Sequence, residues 1–272
     1  MIWFYAGFVV FVLLMLALDL GVVNRGNKEI RARDALIFTG VCVLLALLFN
    51  VLVYFIYENH WFGIGIHQSI QPDGQVVETR VPGSEAAIQF LTGWILEYSL
   101  SLDNIFVIAV VFQFFQVPRK YQHRVLFWGI LGALIMRGIM IALGVALIHR
   151  FHWIIYVFGG LLIITAVKML RSQDEEIHPN NNPLVRLARR LYPVTSDFEE
   201  EKFFSKIGNR RAITPLFLCL LVIESTDLLF AIDSIPAIFV ITRDPFIVFT
   251  SNVFAILGLR SMYFALSAML QK

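Results

Sequence analysis

Seven stretches of the chain run for about twenty or more residues with few charges, at roughly 2–22, 35–57, 88–116, 123–149, 152–171, 212–241 and 246–270. About twenty apolar residues in helical form cross the hydrocarbon of a bilayer. Lipid offers no partner to a backbone N–H or C=O, so each stretch must close its own hydrogen bonds as a helix. The expectation is an all-α polytopic membrane bundle of about seven transmembrane helices, one domain over residues 1–272. The chain is 58% hydrophobic and 15% charged, with mean hydropathy +0.74, whereas soluble domains carry about 25% charged residues. A net charge of +2, with the basic residues lying between apolar stretches, excludes a nucleic-acid binder. The first stretch follows no basic region and precedes no small-residue cleavage site, so it reads as a retained helix rather than a cleavable signal. Cys42 and Cys219 lie inside spans, away from any metal-ligand spacing, and read as small buried hydrophobes.

Basic residues set the expected orientation. Seventeen lysines and arginines fall on one side, in the segments after the first, third and fifth spans and at Lys272. Only Arg80, Arg150 and Arg243 fall on the other, and Arg137 and Arg260 lie inside spans. The N-terminus is expected outside and the C-terminus in the cytoplasm, the chain being multi-pass in a bacterial inner (plasma) membrane with the lipid bilayer as its first partner. The extracytoplasmic loop, 58–87, carries the turn signal Gln71-Pro72-Asp73-Gly74 between short strand-like stretches, which predicts a small hairpin. The cytoplasmic loop, 172–211, contains a short basic amphipathic helix at 183–192, expected on the inner leaflet.

Acids interrupt these spans where lipid forbids them. Asp19, Glu97, Asp103, Glu224, Asp227 and Asp233 all fall inside, against Arg137 and Arg260. A carboxylate at the bilayer centre costs about 2.5–3.5 kcal/mol, so six represent a penalty on the order of 18 kcal/mol. Two arginines cannot neutralise it, and bound cations, bound protons or both must supply the rest. On a helix of 100° per residue, Glu97, Ser101 and Asn104 share one face with Asp103 at its edge, and Glu224, Asp227 and Ser234 share another. Asp233 stands half a turn off its stripe. Pro236 predicts a kink that frees a carbonyl and swings Asp233 toward the site. Carboxylates, Asn104 and hydroxyls form an all-oxygen ligand set suited to Mn²⁺, Mg²⁺ or Ca²⁺, while the six histidines lie in loops or at span ends. The competing reading of the acids is a set of salt bridges to Arg137 or Arg260, and Asn50 and Asn252 read as polar contacts between helices.

Aligning Asp103 with Asp227 superposes Ser101 on Ser225 and Phe106 on Phe230, and an arginine follows each aspartate, Arg137 after 34 residues and Arg260 after 33. The third span runs inward and the sixth outward, so spans 3–4 and 6–7 form an inverted repeat, an architecture common in secondary transporters.

Three stretches carry a family resemblance: Leu-Thr-Gly-Trp-Ile-Leu-Glu-Tyr-Ser-Leu-Ser-Leu-Asp-Asn at 91–104, Glu-Ser-Thr-Asp-Leu-Leu-Phe-Ala-Ile-Asp-Ser-Ile-Pro-Ala at 224–237, and the run from Asp244 through Asn252 to Tyr263. The chain resembles the TerC/Alx family of bacterial integral membrane proteins, the Alx branch above all. The resemblance implies export of Mn²⁺, with links to alkaline pH, metal stress and tellurium resistance, and it carries the acidic motif onto Glu97, Asp103, Asn104, Glu224, Asp227 and Asp233. It also implies about two further helices beyond the point matching Lys272.

The function expected is a secondary transporter, not an enzyme, exporting a divalent ion, Mn²⁺ before Ca²⁺ or Mg²⁺, in exchange for protons. Glu97, Asp103, Asn104, Glu224, Asp227 and Asp233 are the expected ligands, supported by Ser101, Ser234, Arg137, Arg260 and Asp19. The alternatives are a non-transporting metal sensor or assembly subunit and, more remotely, an intramembrane aspartyl protease, whose Gly-x-Gly-Asp and Pro-Ala-Leu signals are absent.

Overall fold

The computed structural model describes residues 2–23, 32–70, 76–151, 153–171, 182–199 and 201–269. Nine α-helices and two β-hairpins are assigned among them: α1 (Ile2–Val23), α2 (Ala32–Glu58), β1 (Ile66–Ile70), β2 (Val76–Arg80), α3 (Gly83–Phe114), α4 (Arg119–Arg150), α5 (Ile154–Arg171), α6 (Pro183–Leu191), β3 (Phe204–Ile207), β4 (Arg210–Ile213), α7 (Pro215–Ile241), α8 (Pro245–Leu257) and α9 (Leu259–Met269). Among the described residues, five helical stretches are long and apolar enough to cross a membrane: Arg33–Glu58, Gly83–Phe114, Arg119–Ile148, Pro215–Ile241 and Pro245–Ser267. Ala6–Leu16 and Ile154–Lys168 are shorter apolar helical stretches. The chain is a multi-pass membrane protein.

Prolines and short polar side chains start the helices. Asp244 accepts from the N–H groups of Phe246 and Ile247, Thr214 from that of Phe217, and Asn182 from those of Leu184 and Val185, with a proline at the first helical position in each case. Helices α3 and α4 extend beyond the expected spans because the polar turns Gly83–Glu85 and Arg119–Arg124 are helical too. The seventh span is divided at Gly258. Helix α7 carries Pro236 within it and continues to Ile241.

Four helices make the centre. Each of α3 and α4 packs against both α7 and α8, closing a four-membered ring. Helix α2 lies outside against α3 and α9, and α5 and α6 lie against α7. Helix α1 docks through Phe8, whose ring lies 5.4 Å from Phe49 of α2 and 6.0 Å from Phe254 of α8.

Between α2 and α3, β1 and β2 pair antiparallel from Ile66 opposite Arg80 to Ile70 opposite Val76, as the loop composition predicts; the expected turn at 71–74 lies outside the described residues. Gly65 opens β1 at φ +79°, where any Cβ would strike the Tyr57 ring. A second hairpin, β3–β4, turns at Gly208 (φ +61°) and was not foreseen within 172–211. The helix expected at 183–192 forms as α6 and packs through buried Val185 and Ala188, while the Asn182 side chain donates to Ser225 Oγ on α7. Leu184, Leu187 and Leu191 stay exposed.

Candidate functional site

Inside the ring, one arginine gathers the polar side chains of three other helices. Arg137 of α4 is 2% exposed. Its Nη2 donates to Asp227 Oδ1 at 2.9 Å and its Nε to Asp227 Oδ2 at 3.3 Å, a two-point grip on α7. Its Nη1 donates to Glu97 Oε1 of α3, and to Asn252 Oδ1 of α8 at 3.1 Å. Asn252 is itself held by donation from its Nδ2 to the Val248 carbonyl, 3.0 Å. Asn104 Nδ2 completes the set with a 2.9 Å bond to Asp227 Oδ1, and Ser101 Oγ leans on Glu97 Oε1 at 3.4 Å.

Local helix geometry explains the convergence. Glu97, Ser101 and Asn104 stand at i, i+4 and i+7 of α3, one above another on the face turned to the ring, exposed by 1%, 2% and 3%. Asp227, 4% exposed, faces them from α7.

Two carboxylates against one guanidinium leave the cluster with a formal charge of −1. Its hydrogen-bonding capacity is also unfilled: Glu97 Oε2 and Asn104 Oδ1 are buried with no protein partner, and so is Ser234 Oγ farther along α7. A cavity of about 30 Å³ lies beside Asn104 and Asp227, walled by Gly129, Ala133, Ile223 and Ile256. That is room for one water molecule or one ion of similar size.

The remaining candidates are placed differently. Glu224, half-buried one turn before Asp227, lies over Gly132 of α4, where the missing side chain makes room for its carboxylate. Asp233 turns away to α5 and accepts from Thr165 Oγ1 at 2.9 Å, so it does not join the cluster. Asp103 is exposed on the outer face of α3, between Leu100 and Phe106. It does not occupy an environment like that of Asp227, its partner in the repeat alignment. The side chains of Asp19 and Arg260 lie outside the described residues. Among the described residues, no three His, Cys, Asp or Glu side chains converge at metal-ligand spacing, so a cation here would draw on amide and hydroxyl oxygens as well as carboxylates.

Sequence reasoning placed Asn252 as a polar contact between helices, which it is, though as a direct partner of Arg137. It missed Gly132. The signal was there in the glycine spacing of α4, Gly129, Gly132, Gly138 and Gly144, a run of small residues that lets a neighbouring helix approach.

Residues 83–272 match the family model described as the integral membrane protein TerC family. Over 98% of the chain, the sequence is 49% identical to "Uncharacterized membrane protein STKORF319" of Myxococcus xanthus, covering 76% of that relative. It is 41% identical, again over 98% of the chain, to "Putative membrane-bound redox modulator Alx" of Escherichia coli strain K12, covering 78% of it. An uncharacterized membrane protein of Rickettsia felis is 39% identical over 95% of the chain and is covered to 77%. No solved structure matches.

Proposed function

The chain belongs to the TerC family of integral membrane proteins, and on that premise we propose that it is a carrier moving a divalent cation, Mn²⁺ foremost, out of the cytoplasm through the cluster around Arg137. One observation carries the reading. A buried site of net charge −1 keeps a carboxylate oxygen of Glu97 and an amide oxygen of Asn104 without protein partners, and a cavity of ion size is lined by two members of the same cluster, Asn104 and Asp227. A purely structural salt bridge would be closed on itself, because an unmade bond to a buried polar group costs about 1–3 kcal/mol.

The ligand chemistry supports the class of cargo. Glu97, Asp227, Asn104 and Ser101 offer oxygen ligands, the preference of Mn²⁺, Mg²⁺ and Ca²⁺, while Cys42 and Cys219 are buried elsewhere, not in a disulfide. Glu224, one turn along α7, is a stepping point between this cluster and the side of the membrane that holds the start of α7. The basic-residue asymmetry supports a cytoplasmic position for that side, with about seven crossings in a bacterial plasma membrane. Asp103 and Asp233 stand outside the first set of ligands in this reading.

Titration of purified protein with Mn²⁺, followed by the loss of the free-ion electron paramagnetic resonance signal, tests the assignment. Wild type is expected to bind, and Asp227→Asn and Glu97→Gln to lose roughly tenfold or more in affinity, as a tenfold change is only about 1.4 kcal/mol. Equal binding by all three would remove the cluster from the function.

A further inference from the structure

The guanidinium that holds Glu97 and Asp227 together covers the oxygens a cation would need. Arg137 takes both oxygens of Asp227 and Oε1 of Glu97, which leaves only Glu97 Oε2 of the four carboxylate oxygens in the cluster without a partner. A divalent ion seated on both carboxylates would stand within a few ångströms of a fixed positive charge, in a site where little solvent screens the repulsion. Cation and guanidinium are therefore rivals for the same two acids. We propose that Arg137 is a tethered competitor of the transported cation: the two exclude one another on Glu97 and Asp227, and the guanidinium takes over the carboxylates for the return half of the cycle. The inference rests on the carrier reading above.

The surroundings are built for such an exchange. Asn252 Oδ1 accepts from Nη1 and is fixed by its own bond to the Val248 carbonyl. It gives Arg137 a neutral partner on α8 that does not depend on the acids, so the side chain is retained when a cation draws the carboxylates away. Asn104 donates to Asp227 Oδ1 while its own Oδ1 is buried with no partner, Arg137 included; Asn104 also lines the cavity, so this oxygen is an acceptor that the guanidinium leaves open to a cation. The cluster thus contains one group that serves each occupant. Removing one partner of a buried pair leaves bare charge behind, and a carrier without its arginine would have to return two exposed acids with nothing on them. With Arg137 present the return step needs no second ion from solution. A linked prediction follows for the energetics of transport: net Mn²⁺ efflux does not require an opposing proton gradient.

Proteoliposomes separate the two halves of the cycle. Wild type, Arg137→Gln and Arg137→Lys are each loaded with Mn²⁺ and assayed for net efflux into Mn²⁺-free medium and for exchange against external Mn²⁺, with binding measured on the same preparations. Arg137→Gln is expected to bind Mn²⁺ more tightly, within the roughly 5–150-fold range usual for coupled sites, to keep exchange, and to lose net efflux. Arg137→Lys, which keeps the charge without the two-point grip, is expected to fold, to bind with intermediate affinity and to keep part of the net efflux; it carries the test where the glutamine variant does not fold. Binding no tighter than wild type in either variant, or equal loss of exchange and net efflux, would overturn the inference. Absence of Mn²⁺ binding by wild type would instead overturn the carrier reading, and the inference with it.

Discussion

A carboxylate sealed among apolar helices is defined by its partners. Asp227 has two of them, Arg137 and Asn104, on two different helices. Asp103 sits among exposed apolar side chains. The account therefore separates two aspartates that the chain presents in similar settings: Asp227→Asn loses roughly tenfold or more in Mn²⁺ affinity, whereas Asp103→Asn stays within about twofold, since 1.4 kcal/mol of interaction corresponds to a factor of ten. Loss of binding in Asp103→Asn would contradict the placement. Breaking the pair also weakens the fold, by about 3–5 kcal/mol for a buried partner removed outright; thermal unfolding of the Arg137 variants in detergent reads that cost apart from binding. The sequence disclosed Glu97, Ser101 and Asn104 as one face because helix periodicity fixes relative direction. It left Asp103 at the edge of that face and counted it with the ligands, because how wide an arc of α3 turns inward depends on α7 and α8 packing there. For Asp233 the helix phase pointed away from the stripe of Glu224 and Asp227, and that direction holds, because α5 claims its carboxylate through Thr165; the swing expected from Pro236 does not bring it to the cluster.

At the level of helices, α4 and α7 share the seam on which the site depends. Gly129 lies against Ile223, Gly132 under Glu224 and Gly144 against the Phe239 ring. Small residues let helices in lipid approach closely, where packing rather than hydrophobicity holds them together. A methyl group at Gly132 would overlap the Glu224 carboxylate, so Gly132→Ala is expected to displace Glu224, part α4 from α7 and depress Mn²⁺ flux strongly. Gly159→Ala and Gly160→Ala on α5 meet nothing within 4 Å and are expected to leave flux and thermal stability unchanged; matching losses at all three positions would show that the seam is not special. These elements were legible to different degrees. The apolar runs and the β1–β2 hairpin follow from length and alternation, while β3–β4 is only four residues per strand and carries too little pattern to stand out from a basic loop. The division between α8 and α9 at Gly258 is likewise local and leaves no trace in the hydropathy of the stretch.

For the whole molecule, the ring of α3, α4, α7 and α8 places the cluster between two ends that face opposite compartments. Both native thiols are buried, so an impermeant maleimide gives a low background for topology. Added outside intact cells, it is expected to label Thr79→Cys in β2 and to spare Lys206→Cys in β3; the reverse pattern would invert the orientation. Family membership and the apolar helices agree on a membrane protein, and the buried side chains give it a polar centre, but none of these says that the centre carries cargo. Uptake of radioactive Mn²⁺ by proteoliposomes containing the purified chain tests that most directly. The account predicts saturable uptake by wild type that Glu97→Gln and Asp227→Asn each abolish while Asp103→Asn keeps it. Uptake by the two cluster variants equal to wild type, or none above protein-free liposomes in any of them, would contradict it.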